Sequence, residues 1–319
     1  MLMNRVLVVR GGAIGDFILT LPALKALRDA YPDARIEILG YKHIAVLAEN
    51  RFYAQAVRSI EYGPLSRFFA KNSELPAESA DYFATFDLII SYLYDPDGIF
   101  ESNLRRCGVK NLLFGPAKIA KTSDHAAWQL ARPIEELGIR VVDLTEKIFL
   151  SEEDRQFGRE FLQTPSQPII AIHPGSGSKE KNWPLQNWIE LFSREHWHVE
   201  KRPSLIVISG EADKAQTAQL EHTWKDQNIR FVKNLPLPHL AAVLEHSIFI
   251  GHDSGISHLA AAAGANCILL FGPTDPNVWA PRNENVQVVG AESGRLNDLE
   301  TGSVQAALSG SLRDASGAQ

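Results

Sequence analysis

Apolar residues occur along the chain in short continuous runs separated by stretches in which they recur at helical spacing. In the first half the runs are "RVLVVR" (5 to 10), "RIEILG" (35 to 40), "FDLIISYL" (86 to 93) and "NLLFG" (111 to 115). Helical periodicity fills 16 to 30 and 123 to 137. Short apolar runs alternating with amphipathic stretches predict strands joined by helices, and therefore a parallel sheet. After a charged stretch at 151 to 160 and the breaker "QTPSQP" at 163 to 168, the pattern restarts. Its strands are "IIAIH" (169 to 173), "SLIVIS" (204 to 209), "SIFIG" (247 to 251) and "NCILLFG" (266 to 272). Helices are predicted at 184 to 198, 211 to 225, 236 to 245 and 255 to 263.

The restart predicts an α/β protein of two doubly wound, Rossmann-like domains facing each other across a central cleft, residues 1 to 160 and 161 to 319. The stretch 63 to 82 has no clear period, breaks the first lobe and is long enough to be a mobile lid. A last helix is expected around Val304 to Leu312, followed by a loose tail.

Composition narrows the class. A chain of 319 residues that is 45% hydrophobic and 22% charged can bury two ordinary cores. No N-terminal pattern of a secretory signal and no run long enough for a membrane span is evident. Cys107 and Cys267 stand far apart without companion ligands, which fits a reducing cytoplasm and suggests neither disulfide nor zinc site. The net charge of −6 belongs wholly to the second half, and nucleic acid is a poor partner for it. Against that background Arg105, Arg106, Lys110, Lys118 and Lys121 form a basic cluster with no acid among them. Two readings stand: a solvated face, or a surface for an anionic partner.

The first strand leads into a glycine turn and Asp16. A dinucleotide fingerprint fails there, because aligning Gly12 and Gly15 puts Arg10 where the first glycine must make the tight turn. Glu37 lies inside its strand rather than at the strand end, where a ribose would be reached. What remains is a flexible turn that brings backbone close to a ligand, with Asp16 expected at the helix start. Helix cap and catalytic base are both open for it.

In the second half "HPGSGSKEKNWP" (173 to 184) offers Ser176 and Ser178 hydroxyls, exposed backbone N–H groups and lysines, a loop suited to a diphosphate. It lacks the Gly-Lys-Ser/Thr ending of a Walker loop. "GHDSGISHLAAAAGANCILLFGPTDP" (251 to 276) turns from strand into a helix of small residues, whose N-terminal N–H groups and dipole favour an anion. His258, one turn in, either reaches a phosphate or braces the Asp253 loop. "DPDG" at 95 to 98 has metal-site spacing but is also a strong turn sequence, and no metal is expected.

The stretches "VVRGGAIGDFILTLPAL", "HPGSGSKEKNWP" and "DSGISHLAAAAG…LLFGPTDP", in this order, resemble the family 9 glycosyltransferases, the bacterial lipopolysaccharide heptosyltransferases. The resemblance extends from residue 5 to about 290. It implies the GT-B fold, an acceptor on the N-terminal lobe and a nucleotide-sugar, usually ADP-heptose, on the C-terminal lobe. It makes Asp16 the general base. Lys181 matches the lysine that neutralises the leaving diphosphate, and Ser176 or Ser178 a phosphate-binding hydroxyl. Asp253, Ser254, Gly255 and His258 match the donor-binding motif, and Glu211 matches an acid placed for the nucleotide ribose, or else is a helix-start glutamate.

The implied activity is an inverting, metal-independent transfer of heptose to an anionic lipopolysaccharide inner core, without a cofactor. The basic cluster, with Phe68 and Phe69 of the insertion, would then meet the acceptor, with peripheral contact at the inner membrane. Another nucleotide-sugar, a protein acceptor, a noncatalytic sugar-nucleotide module and a GT-B epimerase are the competing readings.

Overall fold

The computed structural model describes residues 3–163, 168–193, 203–210, 213–227 and 229–317. It divides into two compact units, Met1–Leu144 and Thr145–Gln319.

The first unit runs β1 (Arg5–Arg10), α1 (Ile14–Ile18), α2 (Leu21–Ala30), β2 (Arg35–Gly40), α3 (Lys42–Ala45), β3 (Ala56–Ser59), α4 (Ala77–Ala84), β4 (Leu88–Ser91), α5 (Ile99–Arg106), β5 (Leu112–Phe114) and α6 (Ala126–Glu135). Its five strands lie in the order β3-β2-β1-β4-β5, and all pairs are parallel. Val6, Leu7, Val8 and Val9 are fully buried, as befits a central strand covered on both faces. The helix expected over 16–30 is two helices, with Pro22 in the first turn of the second. Proline fits a first turn because its missing N–H would have no intrahelical partner there.

The stretch 63–82, long enough for a lid, is instead packed into the core. A 3₁₀ turn covers Gly63–Phe69 and α4 follows. Leu65, Phe68 and Phe83 pack with Leu7, Val9 and Ile89 of the sheet. Phe68 is fully buried and Phe69 stacks flat on Phe100 at 4.9 Å, so Phe68 presents nothing to a lipid. Asn103 of α5 ties the segment down, donating to the Phe68 and Ala70 carbonyls.

The second unit runs α7 (Glu152–Leu162), β6 (Ile169–His173), α8 (Leu185–Leu191), β7 (Ser204–Ser209), α9 (Lys214–Thr223), β8 (Ile229–Lys233), α10 (Leu237–Leu244), β9 (Ile248–His252), α11 (Gly255–Ala263), β10 (Asn266–Phe271), α12 (Pro276–Trp279), β11 (Val286–Gly290) and α13 (Thr301–Gly317). The strand order is β11-β10-β9-β6-β7-β8, again wholly parallel. Trp183, Trp188 and Leu191 pack on one face with Val304 and Leu308 of the last helix, which continues to Gly317, past the predicted end near Leu312.

The boundary falls earlier than residue 160 because the charged stretch is a helix of the second unit. Ser151 caps α7, accepting from the Asp154 N–H. Gly158 lets α7 approach α10 so closely that a Cβ would lie 2.8 Å from the Ala242 carbonyl oxygen. Arg155 grips Glu245, the residue that ends α10, at 2.9 Å.

Candidate active site

In an open parallel sheet, ligands bind beyond the carboxyl ends of the strands where the strand order reverses. The first sheet reverses between β1 and β4, and the loop leaving β1 carries Gly12 and Asp16. Gly12 has φ +98°, and a Cβ there would fall 2.6 Å from Asp16 Oδ2. Only glycine satisfies both conditions. Gly15 sits in the first turn of α1, its carbonyl accepting from the Leu19 N–H.

Asp16 is the third residue of α1, not its cap. Its carboxylate reaches back to accept the Ala13 N–H at 2.9 Å. Arg10, buried beneath it, donates to the Asp16 carbonyl and to Thr20 Oγ1, and its Nη2 lies 3.8 Å from Asp16 Oδ1. Burial pulls the Arg10 guanidinium below its usual pKa, while the Asp16 charge opposes that shift. The Asp16 carboxylate stays partly exposed, 39% of its side-chain surface open to solvent. It therefore combines a backbone-anchoring role with an oxygen accessible for chemistry.

The basic cluster is not one patch. Arg105, Arg106 and Lys110 lie on the way from α5 into β5, at the amino ends of the strands, whereas Lys118 and Lys121 follow β5 at the carboxyl ends. Arg105 pairs with Glu101 at 2.7 Å, and Arg106 donates to Asn103 Oδ1 and the Ser73 carbonyl. Lys118 lies 5.3 Å from the ring centre of Tyr94, which is 70% exposed. Only the lysine half shares the Asp16 edge of the sheet. Asp95 of "DPDG" holds the start of α5, its two oxygens accepting the Phe100 and Glu101 N–H groups. Glu37 is buried between Arg5 and Arg35 at 3.1 and 3.0 Å.

The second sheet reverses between β6 and β9. Their adjacency brings together two loops distant in sequence. Lys181 Nζ lies 2.6 Å from Asp253 Oδ2. Ser254 caps α11, its hydroxyl accepting the Ser257 N–H, and Gly255 is the first helical residue. Gly264 closes the helix in the left-handed conformation at φ +102°. Ala260 to Ala263 are buried, which fixes the helix N-terminus against the sheet.

Ser176 and Ser178 now separate. The Ser176 hydroxyl is buried and turned inward toward the Ser178 carbonyl (2.8 Å) and Asn182 Oδ1 (2.7 Å), stapling the loop. The Ser178 side chain makes no capping bond. His258 takes the bracing role: buried in α11, it holds Glu146 through Nδ1 at 2.8 Å. Glu146 is anchored in turn by Asn283, whose amide donates to its carbonyl. Glu211 lies outside the described residues.

Two buried histidines were not singled out from the sequence. His252 accepts the Trp183 N–H through Nε2 at 2.9 Å, which ties the end of the phosphate-type loop to β9. Burial, then the neighbouring His173, pushes its imidazole down to about 3. His173, the last residue of β6, bonds Asp213 Oδ2 through Nε2 at 2.8 Å. Burial opposes the Asp213 charge, but the hydrogen bond and charge of His173 and the Gly210 N–H outweigh it, holding the carboxyl below its usual pKa. The signal was the His at the strand end of "IIAIHPG"; its partner, 40 residues on, carries no local mark.

Solved structures share this fold. The chain superposes on E. coli ADP-heptose LPS heptosyltransferase II with a TM-score of 0.76 at 15% identity, covering 97% of this chain and 99% of that one. For E. coli heptosyltransferase WaaC with ADP the TM-score is 0.71 at 18% identity, covering 96% and 99%. In sequence, the chain is 24% identical over 300 residues to lipopolysaccharide heptosyltransferase 3 of Escherichia coli, with 85% of this chain and 84% of the relative covered. It is 26% identical over 303 residues to lipopolysaccharide heptosyltransferase 1 of Pseudomonas aeruginosa, covering 85% and 79%. Residues 119–308 match the family model for glycosyltransferase family 9 (heptosyltransferase), a span that includes both donor-type loops and their switch point. The chain belongs to glycosyltransferase family 9, and is a glycosyltransferase of the GT-B α/β fold.

Proposed function

We propose that this protein transfers a heptose from ADP-heptose to the inner core of lipopolysaccharide, with inversion at the anomeric carbon. The observation that carries the reading is the meeting of Lys181 and Asp253 at 2.6 Å beside the N-terminus of α11, at the switch point of the second sheet. A leaving diphosphate gains negative charge, and a lysine and a helix N-terminus aimed at it stabilise that charge without reorganising. Relatives named as lipopolysaccharide heptosyltransferases, and a solved neighbour with ADP, support the choice of donor.

In this mechanism Asp16 takes the proton from the acceptor hydroxyl as that oxygen attacks the anomeric carbon from the face opposite the diphosphate. The carbon–oxygen bond to the diphosphate breaks and ADP leaves. Lys181, Ser178 and the α11 N-terminus hold the diphosphate, and Asp253, Ser254 and Gly255 orient the sugar. Protein groups carry the charge, and neither metal nor cofactor enters the scheme. Lys118, Lys121 and Tyr94, at the same sheet edge as Asp16, meet the anionic acceptor. The reaction so read is cytoplasmic, at the membrane face that presents a lipid-linked acceptor.

Calorimetric titration of ADP, UDP and GDP, with and without EDTA, tests the donor assignment. The reading expects ADP preferred, binding indifferent to EDTA, and little change in Asp16→Ala. Preference for UDP or GDP, or binding lost in EDTA, contradicts it.

A further inference from the structure

His173, Asp213 and Ser254 form a chain across three adjacent strands. Asp213 begins the turn into α9 after β7, His173 ends β6, and Ser254 follows β9. Asp213 Oδ2 receives His173 Nε2 at 2.8 Å, and Ser254 Oγ lies 3.5 Å from His173 Nδ1. His173 and Asp213 are both almost completely buried, with side chains 5% and 3% exposed. Close packing holds the arrangement: a Cβ on Gly175, in the loop after β6, would lie 1.9 Å from Asp213 Oδ1. That oxygen has no hydrogen-bond partner among the described residues. Among the described residues, Ser254 is the hydrogen-bond link from this pair to the α11 N-terminus.

The hydrogen-bond inventory of the chain gives it two states. Asp213 is an acceptor, so His173 Nε2 carries a proton in both. When the imidazole is neutral, Nδ1 has a lone pair, the Ser254 hydroxyl donates to it, and Ser254 turns only lone pairs toward an anion. When Nδ1 is protonated it donates to Ser254 Oγ, and the Ser254 hydrogen is released from His173 to serve the anion or Ser257 Oγ, 3.2 Å away, whose own hydrogen is held by the His252 carbonyl. We propose that a proton on His173 and a nucleoside diphosphate at the α11 N-terminus bind cooperatively, with Asp213 and His173 acting as positioning residues through Ser254. The proton comes from solvent and rests on His173 Nδ1; no bond to carbon is made or broken. Linkage is reciprocal, so diphosphate binding draws in a proton and a proton strengthens diphosphate binding. When the diphosphate departs the proton is free to leave, which resets the site.

Other ionisable groups around His173 do not substitute for it. His252, on β9, is kept neutral by burial through this pH range. Lys181 and Asp253 neutralise each other at 2.6 Å. His258 lies in α11 against Glu146.

The inference rests on the donor-site reading above, and one experiment separates the two. ADP is titrated calorimetrically between pH 7.5 and 9, where its terminal phosphate is already ionised, in buffers of different ionisation enthalpy such as HEPES and Tris. The expected result is net proton uptake on binding, read as a heat that differs between the buffers, with affinity falling as pH rises. Asp213→Asn should bind ADP with the uptake moved to lower pH, because the carboxylate no longer supports the imidazolium. Ser254→Ala, which also loses the α11 cap, should bind ADP more weakly and, like His173→Gln, show no uptake. ADP binding with no buffer dependence, or uptake that persists in Ser254→Ala, overturns the linkage and leaves the donor site standing. Failure of the wild-type protein to bind ADP overturns both.

Discussion

Lys181 Nζ and Asp253 Oδ2 are 2.6 Å apart, although 72 residues separate them in the chain. The parallel pairing of β6 with β9 makes the approach possible, since both loops leave the same end of adjacent strands. The lysine is thereby held in place before any ligand arrives, with 31% of its side chain still exposed.

Lys181→Ala should weaken ADP binding by roughly ten- to a hundredfold, the range of a lost charge-assisted hydrogen bond of about 1.5–3 kcal/mol. Titration calorimetry at constant ionic strength reads it. An unchanged affinity would remove Lys181 from the donor site.

Asp16→Asn keeps an oxygen that can accept the Ala13 N–H, so the turn around Gly12 should survive. A positioned base contributes about 10²–10⁴ in rate, and kcat should fall by that much while ADP affinity and thermal midpoint stay near the wild-type values. Loss of ADP affinity in this variant would show that Asp16 acts on the donor instead.

Much of the fold was legible because central strands are covered on both faces and must be apolar throughout. "RVLVVR", "RIEILG", "IIAIH" and "SLIVIS" are β1, β2, β6 and β7 residue for residue. The strands that were missed, "AVRS", "IRFVK" and "VQVVG", are β3, β8 and β11, all at sheet edges. An edge strand buries less and mixes in polar residues, so its pattern fades into that of a loop. The helix "EEDRQFGREFL" read as a charged boundary because its contact with α10 uses Gly158 and hydrogen bonds more than an apolar stripe.

At the candidate site, the residues that local motifs mark were legible in the sequence, and those defined by distant pairing were not. Lys181, Asp253 and Ser254 sit in loops whose small and polar composition marks them. The Asp213 partner of His173 and the Glu146 partner of His258 lie 40 and 112 residues away. Only the folded sheet reveals them, and Glu146 decides that His258 braces the helix. The basic cluster looked continuous because its two halves flank a strand of three residues, which is enough to send them to opposite ends of the sheet.

Glu146→Ala should destabilise the second unit by about 1–3 kcal/mol, the cost of removing a buried hydrogen-bond partner from His258 Nδ1. Urea unfolding followed by tryptophan fluorescence is suitable, since Trp183, Trp188 and Trp224 all lie in that unit's core. A change under about 1 kcal/mol would mean that the pair is not a brace.

His252 gives stability a pH dependence of definite sign. Its folded-state value of about 3 lies below the usual 6.5, so the unfolded chain binds the proton more readily. The contribution is complete above pH 6.5 and is lost as pH falls toward 3, by up to about 1.4 kcal/mol per pH unit. His252→Gln should flatten this acid limb in urea midpoints measured from pH 7.5 to 4.5. An acid limb of unchanged slope in the variant would assign the effect to other groups.

The most direct test of heptose transfer is a turnover assay with ADP-heptose and a lipopolysaccharide acceptor lacking its heptoses, followed by ADP release and by the mass of the acceptor. The account predicts ADP release that depends on acceptor, addition of one heptosyl unit with inverted anomeric configuration, and loss of both in Asp16→Asn. Acceptor-independent consumption of the donor, or glycosylation only from a different nucleotide-sugar, would contradict it.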